Sequence, residues 1–324
     1  LGVEDIPGTA LHEGIPWTWA TFEEYLDHLG GRSFDIDIAA QVPHGAVRLF
    51  VMGERGARGE PATAAEIETM GALVRSGIDA GALGFTTSRT TNHRTSRGEP
   101  TPTLTAAEAE LVGIARAIDG RGVVEVVSDF ADLDREFSIM RRIVEESGCP
   151  LSISVAAEDH RAPWWELCDR IAAAQGDGLP MRGQVGARAI GVLLGLETTW
   201  NPFVGAPSYR RIAGESLAER VRIMREPGFR AGLVAELTGE GHRPLFAFDR
   251  MFPLGDPPVY APEAATSVAG RAAREARDPV EVAYDLLLGD DGRALLYYPI
   301  HNWVDGSLDA VRTMLLDPHL VPGL

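Results

Sequence analysis

Gly81-Ala-Leu-Gly-Phe-Thr-Thr-Ser-Arg-Thr-Thr-Asn-His-Arg94 is the stretch on which the fold reading turns. Ala82 to Thr87 is small and apolar enough for a strand buried on both faces, and the polar loop after it carries Ser88, Arg89, His93 and Arg94. The same pattern recurs along the chain. An apolar run ends abruptly in polar or ionisable residues, and a capped helix follows. Repetition of that unit predicts an α/β fold, a TIM-like (β/α) barrel in which the strand ends carry the chemistry.

Downstream, Thr105-Ala-Ala-Glu108 has the spacing of a capping box and opens a helix with Leu111, Ile114, Ala115 and Ile118 on one face, ended by Gly120. Val123 to Val127 reads as a strand running into Ser128-Asp129-Phe130, followed by a helix over 134–147 that Gly148 and Pro150 stop. Leu151 to Val155 leads into Glu158-Asp159-His160, and after a helix over 164–174 the strand Pro180 to Val185 ends near Gln184 and Arg188. Upstream, Thr63-Ala-Ala-Glu66 caps a helix reaching about Ile78, and Ala46 to Met52 reads as a strand. Trp17, Trp19, Phe22, Tyr25 and Leu26, with Thr21 and Glu24 at box spacing, suit a helix packed outside the barrel.

The period breaks from Gly191. We read residues 1–324 as a single domain with an insertion at about 191–290. Within it, 190–196 is a strand or a short helix, and Asn201-Pro202-Phe203 with Pro207-Ser208-Tyr209 is loop-like. Helices follow over 216–224 and 229–237, then a strand from Pro244 to Phe248 ending in Asp249, and a Pro-rich loop over 253–262 that would suit a lid. Helices over 266–276 and 279–288, a strand from Ala294 to Tyr298 ending in His301 and Asn302, and a helix over 307–316 complete the chain. The start at Leu1 rather than Met, and an element begun at Leu320, predict a barrel incomplete at both termini.

Lys and Arg total 30 against 47 Asp and Glu, a net charge of −17 that argues against a nucleic-acid backbone or an anionic membrane as partner. The two cysteines, Cys149 and Cys168, have apolar neighbours and no metal-type spacing, which predicts buried thiols and a cytoplasmic location. No apolar run reaches the roughly 20 residues that span a membrane.

If all strands run one way, His93, Arg94, Asp129, His160, Gln184, Arg188, Asp249 and His301 converge on one rim. His and Asp suit metal binding or proton transfer, and Arg suits a substrate carboxylate. None of the histidines forms an H-x-H or H-E-x-x-H pair, no G-x-S-x-G elbow exists, and neither Ser88 nor Ser128 has an identifiable base. Gly53 to Gly59, with Arg55 and Arg58, reads as a flexible turn in preference to an anion-binding loop.

Leu1-Gly-Val-Glu-Asp-Ile-Pro-Gly8, Val51-Met-Gly-Glu-Arg55, Gly81 to Arg89, Val126-Val-Ser-Asp-Phe130 and Pro318-His-Leu-Val-Pro-Gly-Leu324 together resemble the central part of the N-acyl-D-amino-acid deacylase branch of the amidohydrolase superfamily. The resemblance implies a metal-dependent barrel with a small β-sandwich, hydrolysing N-acyl-D-amino acids or similar linear amides with zinc-activated water. That family's H-x-H pair and cysteine ligand lie upstream of Leu1 and its catalytic Asp beyond Leu324, so the sandwich and those groups are expected to be absent here. Its mid-barrel histidines correspond to the neighbourhoods of Ser128 and of Val155 or Ala156. What this chain offers instead is Asp129 and His160 as metal candidates, and Asp129 and His301 as catalytic candidates. Ser88, Arg89, His93, Arg94, Gln184 and Arg188 are the substrate-binding candidates, with the arginines as the carboxylate clamp. Two alternatives stand beside this: a metal-free barrel that binds an acyl amino acid or peptide without turnover, and a subunit, homo-oligomeric or dependent on absent sequence, whose edges pair with another chain.

Overall fold

The computed structural model describes residues 8–95, 98–158, 164–239, 241 and 243–323. The strands, in chain order, are β1 (Gln41–Pro43), β2 (Gly84–Arg89), β3 (Val123–Ser128), β4 (Leu151–Val155), β5 (Met181–Gly186), β6 (Ile190–Gly195), β7 (Phe252–Pro253), β8 (Leu295–His301) and β9 (Leu320–Gly323). They form two sheets, ordered β1-β2-β3-β4-β5-β9 and β6-β8-β7. The chain divides into two compact units, one of Leu1–Val155, His160–Val185 and Leu315–Leu324, the other of Ala156–Asp159 and Gly186–Met314.

In the first unit β1 to β5 pair in parallel, each with the next. Helices Ala64–Asp79, Glu108–Ile118, Leu133–Ser147 and Trp164–Gly176 connect them. This is the expected α/β architecture with a parallel sheet. The first crossover helix starts at a complete capping box, in which Glu66 N donates to the Thr63 hydroxyl and Thr63 N to the Glu66 carboxylate. Met70, Val74, Ile114, Ile118, Met140 and Ile143 are buried where successive helices pack. At Gly84 a Cβ would lie 1.8 Å from the Val123 carbonyl oxygen, so only glycine lets β2 approach β3 there.

Several expectations need correction. Ala46 to Met52 lies in a helix, His44–Met52, and the strand is the shorter Gln41–Pro43 before it. A seven-residue apolar run does not separate strand from helix by content alone. Burial does: His44, Val47, Arg48 and Met52 are buried, at helical spacing, while Leu49 and Phe50 face solvent. The box expected at Thr105 does not form, because the helix begins after an Ala107 N-cap and the Thr105 hydroxyl donates to Gly59 O. Pro244 to Phe248 is not a strand; a short 3-10 turn, Phe248–Arg250, precedes β7. Pro207, read as loop, occupies the first turn of a helix, Pro207–Ile212, where its missing N–H costs nothing.

The second unit surrounds its antiparallel sheet with helices whose core includes Leu194, Phe203, Tyr209, Met224, Tyr284 and Leu296. Phe203 and Tyr284 rings lie 5.5 Å apart, and the Tyr284 hydroxyl, pushed up to about 12 by burial, donates to Met224 O at 2.6 Å. Among the described residues no helix is long and apolar enough to cross a membrane.

A polar cluster sits inside the first unit's core. Arg48 Nε donates to Glu110 Oε1 at 2.8 Å, and His44 Nε2 lies 2.9 Å from the same oxygen. His44 Nδ1 meets the Thr87 hydroxyl at 2.8 Å, and Arg48 also donates to Gly56 O and Glu60 O. His44, Arg48, Thr87 and Glu110 are all buried. The bonding assigns a neutral imidazole with its proton on Nε2, given to Glu110, and Nδ1 accepting from Thr87. Burial holds the His44 imidazole below its ordinary range. Burial pushes the Glu110 carboxyl up, but hydrogen bonds from His44 and Arg48 outweigh it and keep it low.

Both groups bind protons less readily folded than unfolded, so stability is lost on acidification: first as pH falls from about 6.5, where unfolded His44 takes a proton, then below about 4.3 for Glu110. Urea midpoints measured across pH should fall in that order, with no gain on the acid side. Glu110→Ala leaves Arg48 charged and buried without its partner, and should cost about 3–5 kcal/mol in the same measurement.

Candidate functional site

Alternation along the parallel strands gives the first unit's sheet two chemically different faces. Phe85, Val124, Val126, Leu151, Ile153, Val155, Met181 and Val185 are buried on one face. Thr87 and Arg89 share that side of β2, and their partners, His44 and Glu136, sit on helices. The other face is polar and half-buried to exposed. Thr86, Glu125, Ser152 and Arg182 are in register across β2 to β5, and Ser154 pairs with Gln184 nearer the strand ends.

Arg89 points away from that polar face. Its Nε and Nη2 grip both Glu136 oxygens at 2.6 and 2.8 Å, Nη1 donates to Ala106 O at 2.8 Å, and its side chain is 9% exposed. Ser128 adds a bond to Glu136 at 3.1 Å. Burial raises the Glu136 carboxyl, but Arg89 more than offsets it and holds the group below the usual carboxylate range. A bidentate pair this buried fixes the strand end.

Ser88, one residue earlier, faces the other way, and its hydroxyl lies 2.7 Å from His93 Nδ1. The sequence shows Ser88 no partner; the loop brings this imidazole beside it. Asp129, on the neighbouring strand end, holds this loop by accepting from the Thr90 hydroxyl and from Thr91 N and Oγ1 at 2.8 and 2.7 Å. Arg94 is exposed, with Nη1 on Gly98 O at 2.9 Å. Gln184 is half-buried, two residues before the end of β5. Ser88, His93, Asp129 and Arg94 thus belong to one loop system, whereas Arg89 is committed to the helix layer.

Arg188, Asp249 and His301 belong to the second unit. Arg188 and Asp249 are exposed, and His301 Nδ1 lies 2.9 Å from Glu158 Oε1. The sharper feature there is Asn302, fully buried with φ 59, which exchanges two hydrogen bonds with Ala157 and donates to Gly186 O and Arg188 O. His160 lies outside the described residues.

Sequence reading missed His44, Glu110 and Glu136, and placed Asn302 at a strand end without assigning it a role. Glu110 had a signal, since it shares the i, i+4 row of Ile114 and Ile118 on an otherwise apolar face. Glu136 had none, because its partner lies far away in the chain.

Among the described residues no three His, Cys, Asp or Glu side chains come together to hold a metal ion. Asp129, the one metal candidate described, spends both carboxylate oxygens on Thr90 and Thr91. These residues do not fit a zinc centre by themselves.

A family model, Amidohydro_3, described as an amidohydrolase family, matches residues 7–323. No curated protein sequence matches the chain significantly. Among solved structures, an N-acyl-D-glutamate deacylase from Bordetella bronchiseptica, complexed with zinc and a phosphonate mimic of the tetrahedral intermediate, matches with a TM-score of 0.52 at 19% identity over 94% of this chain and 51% of its own. A D-aminoacylase described for its binuclear metal centre matches with a TM-score of 0.51 at 18% identity and the same coverage. A further D-aminoacylase structure, described as defining a subset of amidohydrolases, matches with a TM-score of 0.50 at 17% identity. The likeness extends to the fold, and the chain spans about half the length of these proteins.

Asp129→Ala removes the acceptor for Thr91 N while leaving the Arg89–Glu136 pair intact. Hydrogen exchange should show lost protection at the Thr91 amide, with a cost in global stability of only about 1–2 kcal/mol, the scale of a few partly exposed hydrogen bonds.

Proposed function

The chain belongs to the amidohydrolase family, and from that premise we propose that it serves a hydrolase cleaving the amide bond of N-acyl amino acids or similar linear amides. One observation carries the reading: Ser88, His93, Arg94, Asp129 and Gln184 lie at or just beyond the carboxyl ends of parallel strands, the edge where α/β sheets take their ligands. The D-aminoacylases and the N-acyl-D-glutamate deacylase of similar fold support the choice of substrate class.

In this reading Arg94 receives the substrate carboxylate, since its guanidinium is exposed and spends one nitrogen on Gly98 O. Gln184 and Ser154, neighbours in register on the polar face, are placed to hydrogen-bond the acyl amide. Arg89 and Asp129 position the loop. Zinc is the metal of the Bordetella structure, and metal dependence of this chain is part of the proposal. The described residues do not assemble a ligand set by themselves. The two buried thiols, with Cys168 pushed up to about 12 chiefly by burial, suit the reducing compartment proposed for it.

Binding without turnover is the second reading, favoured by the engagement of Asp129 with the loop rather than with an open cavity. Thermal shift with N-acyl-D-amino acids, followed by an assay for the released amino acid with added zinc, separates the two. A saturable shift and amino-acid release are expected. Arg94→Ala should weaken binding about tenfold or more, since hydrogen bonds to charged groups contribute about 1.5–3 kcal/mol. A shift that depends on Arg94 without release would favour the second reading, and no shift with any acyl amino acid would remove both.

A further inference from the structure

We propose that Ser88 is a nucleophile with His93 as its general base, giving this chain a metal-independent acyl-transfer activity toward small activated esters. This goes beyond amide hydrolysis by a metal-bound water and does not depend on it. The carrying observation is the Ser88 Oγ to His93 Nδ1 distance of 2.7 Å, within the range of a nucleophile and its base. Both side chains are partly exposed, so an ester can reach them.

The pair is held from both ends. Ser88 is flanked by Thr87, bonded to buried His44, and by Arg89, clamped by Glu136, while its own carbonyl accepts from Thr103 Oγ1 at 2.6 Å. The loop that brings His93 back is fixed where Asp129 grips Thr90 and Thr91 and where Asn92 N donates to Thr90 Oγ1 at 3.1 Å. None of these contacts uses the Ser88 hydroxyl. Alternation turns that hydroxyl toward the polar face of the sheet, away from the helices that bind its neighbours. Ready-made geometry is what a nucleophile needs before its substrate arrives.

The chemistry balances with an ester and water alone. Ser88 Oγ forms a bond to the acyl carbon as its proton passes to His93 Nδ1. The ester C–O bond then breaks, and the leaving alcohol or phenol takes that proton. Water, giving a proton to His93, attacks the acyl-Ser88, and the carboxylic acid leaves as Ser88 recovers its hydrogen.

The test is acylation by p-nitrophenyl acetate in the presence of a chelator, read as p-nitrophenol release, intact mass and peptide mapping. The background is low, because all 30 Lys and Arg positions are arginine and no lysine amine competes. The expected result is one acetyl group per chain on the peptide carrying Ser88, lost in Ser88→Ala and retained in Ser138→Ala, whose hydroxyl bonds only within its helix. His93→Gln should slow acylation about 10²–10⁴-fold, the usual contribution of a positioned base, with an unchanged melting curve. A wild-type chain in which Ser88 carries no acetyl group, whatever other sites are labelled, would overturn the proposal. So would acylation of Ser88 at an undiminished rate in His93→Gln. Because the chelator is present throughout, failure here leaves the amide-hydrolase reading untouched, and success does not establish it.

Discussion

The carboxylate of Glu110, buried against Arg48 and His44, is the constraint on which the first unit depends. A buried ion pair is costly to desolvate and is sustained only when the remaining donors find acceptors. The donors here do: Arg48 also reaches the carbonyls of Gly56 and Glu60, and His44 passes the chain of bonds on to Thr87, while Glu110 Oε2 stays buried without a hydrogen-bond partner. One carboxylate therefore joins helix His44–Met52, helix Glu108–Ile118 and strand β2, elements that apolar packing alone would leave free to slide. Directional bonds set the register in which β2 meets the helices.

That register decides what β2 can present. With Thr87 tied to His44 and Arg89 tied to Glu136, the alternate residue Ser88 must face the opposite side. Structure and candidate chemistry thus share one strand without competing for the same side chains. Arg89 illustrates the division. From sequence it reads as a carboxylate clamp, yet it is satisfied by a protein carboxylate, whereas Arg94 is exposed.

Much of the first unit was legible because crossover helices and buried parallel strands write their periods strongly. Thr63 and Glu66, Gly148, and the apolar runs 123–127 and 151–155 each sit where their local chemistry predicts. The failures have a common physical cause. Ala46 to Met52 is an apolar run whose state is set by the burial of His44 and Arg48, a tertiary fact. Thr105 has the right spacing for a cap and spends its hydroxyl on Gly59 instead. The Ser88–His93 pair is local in sequence, but only the turn held by Asp129 makes it close, and that acceptor comes from another strand. Local rules locate elements; partners distant in the chain locate the groups that react.

Backbone pairing also explains why the strand ends, rather than the sheet's middle, hold the candidate chemistry. In mid-sheet, Thr86, Glu125, Ser152 and Arg182 stand in register, the first three confined by paired backbone on both sides. Past the last ladder bond the chain is free to turn, and a carboxylate such as Asp129 can satisfy backbone and hydroxyl donors that the ladder no longer serves. A loop secured that way returns a side chain over its own strand end at little entropic cost, because most of its ordering has already been achieved by bonds that contribute to folding. His93 beside Ser88 is the result of that economy. It places an imidazole against a hydroxyl using only groups that the fold needs for other reasons.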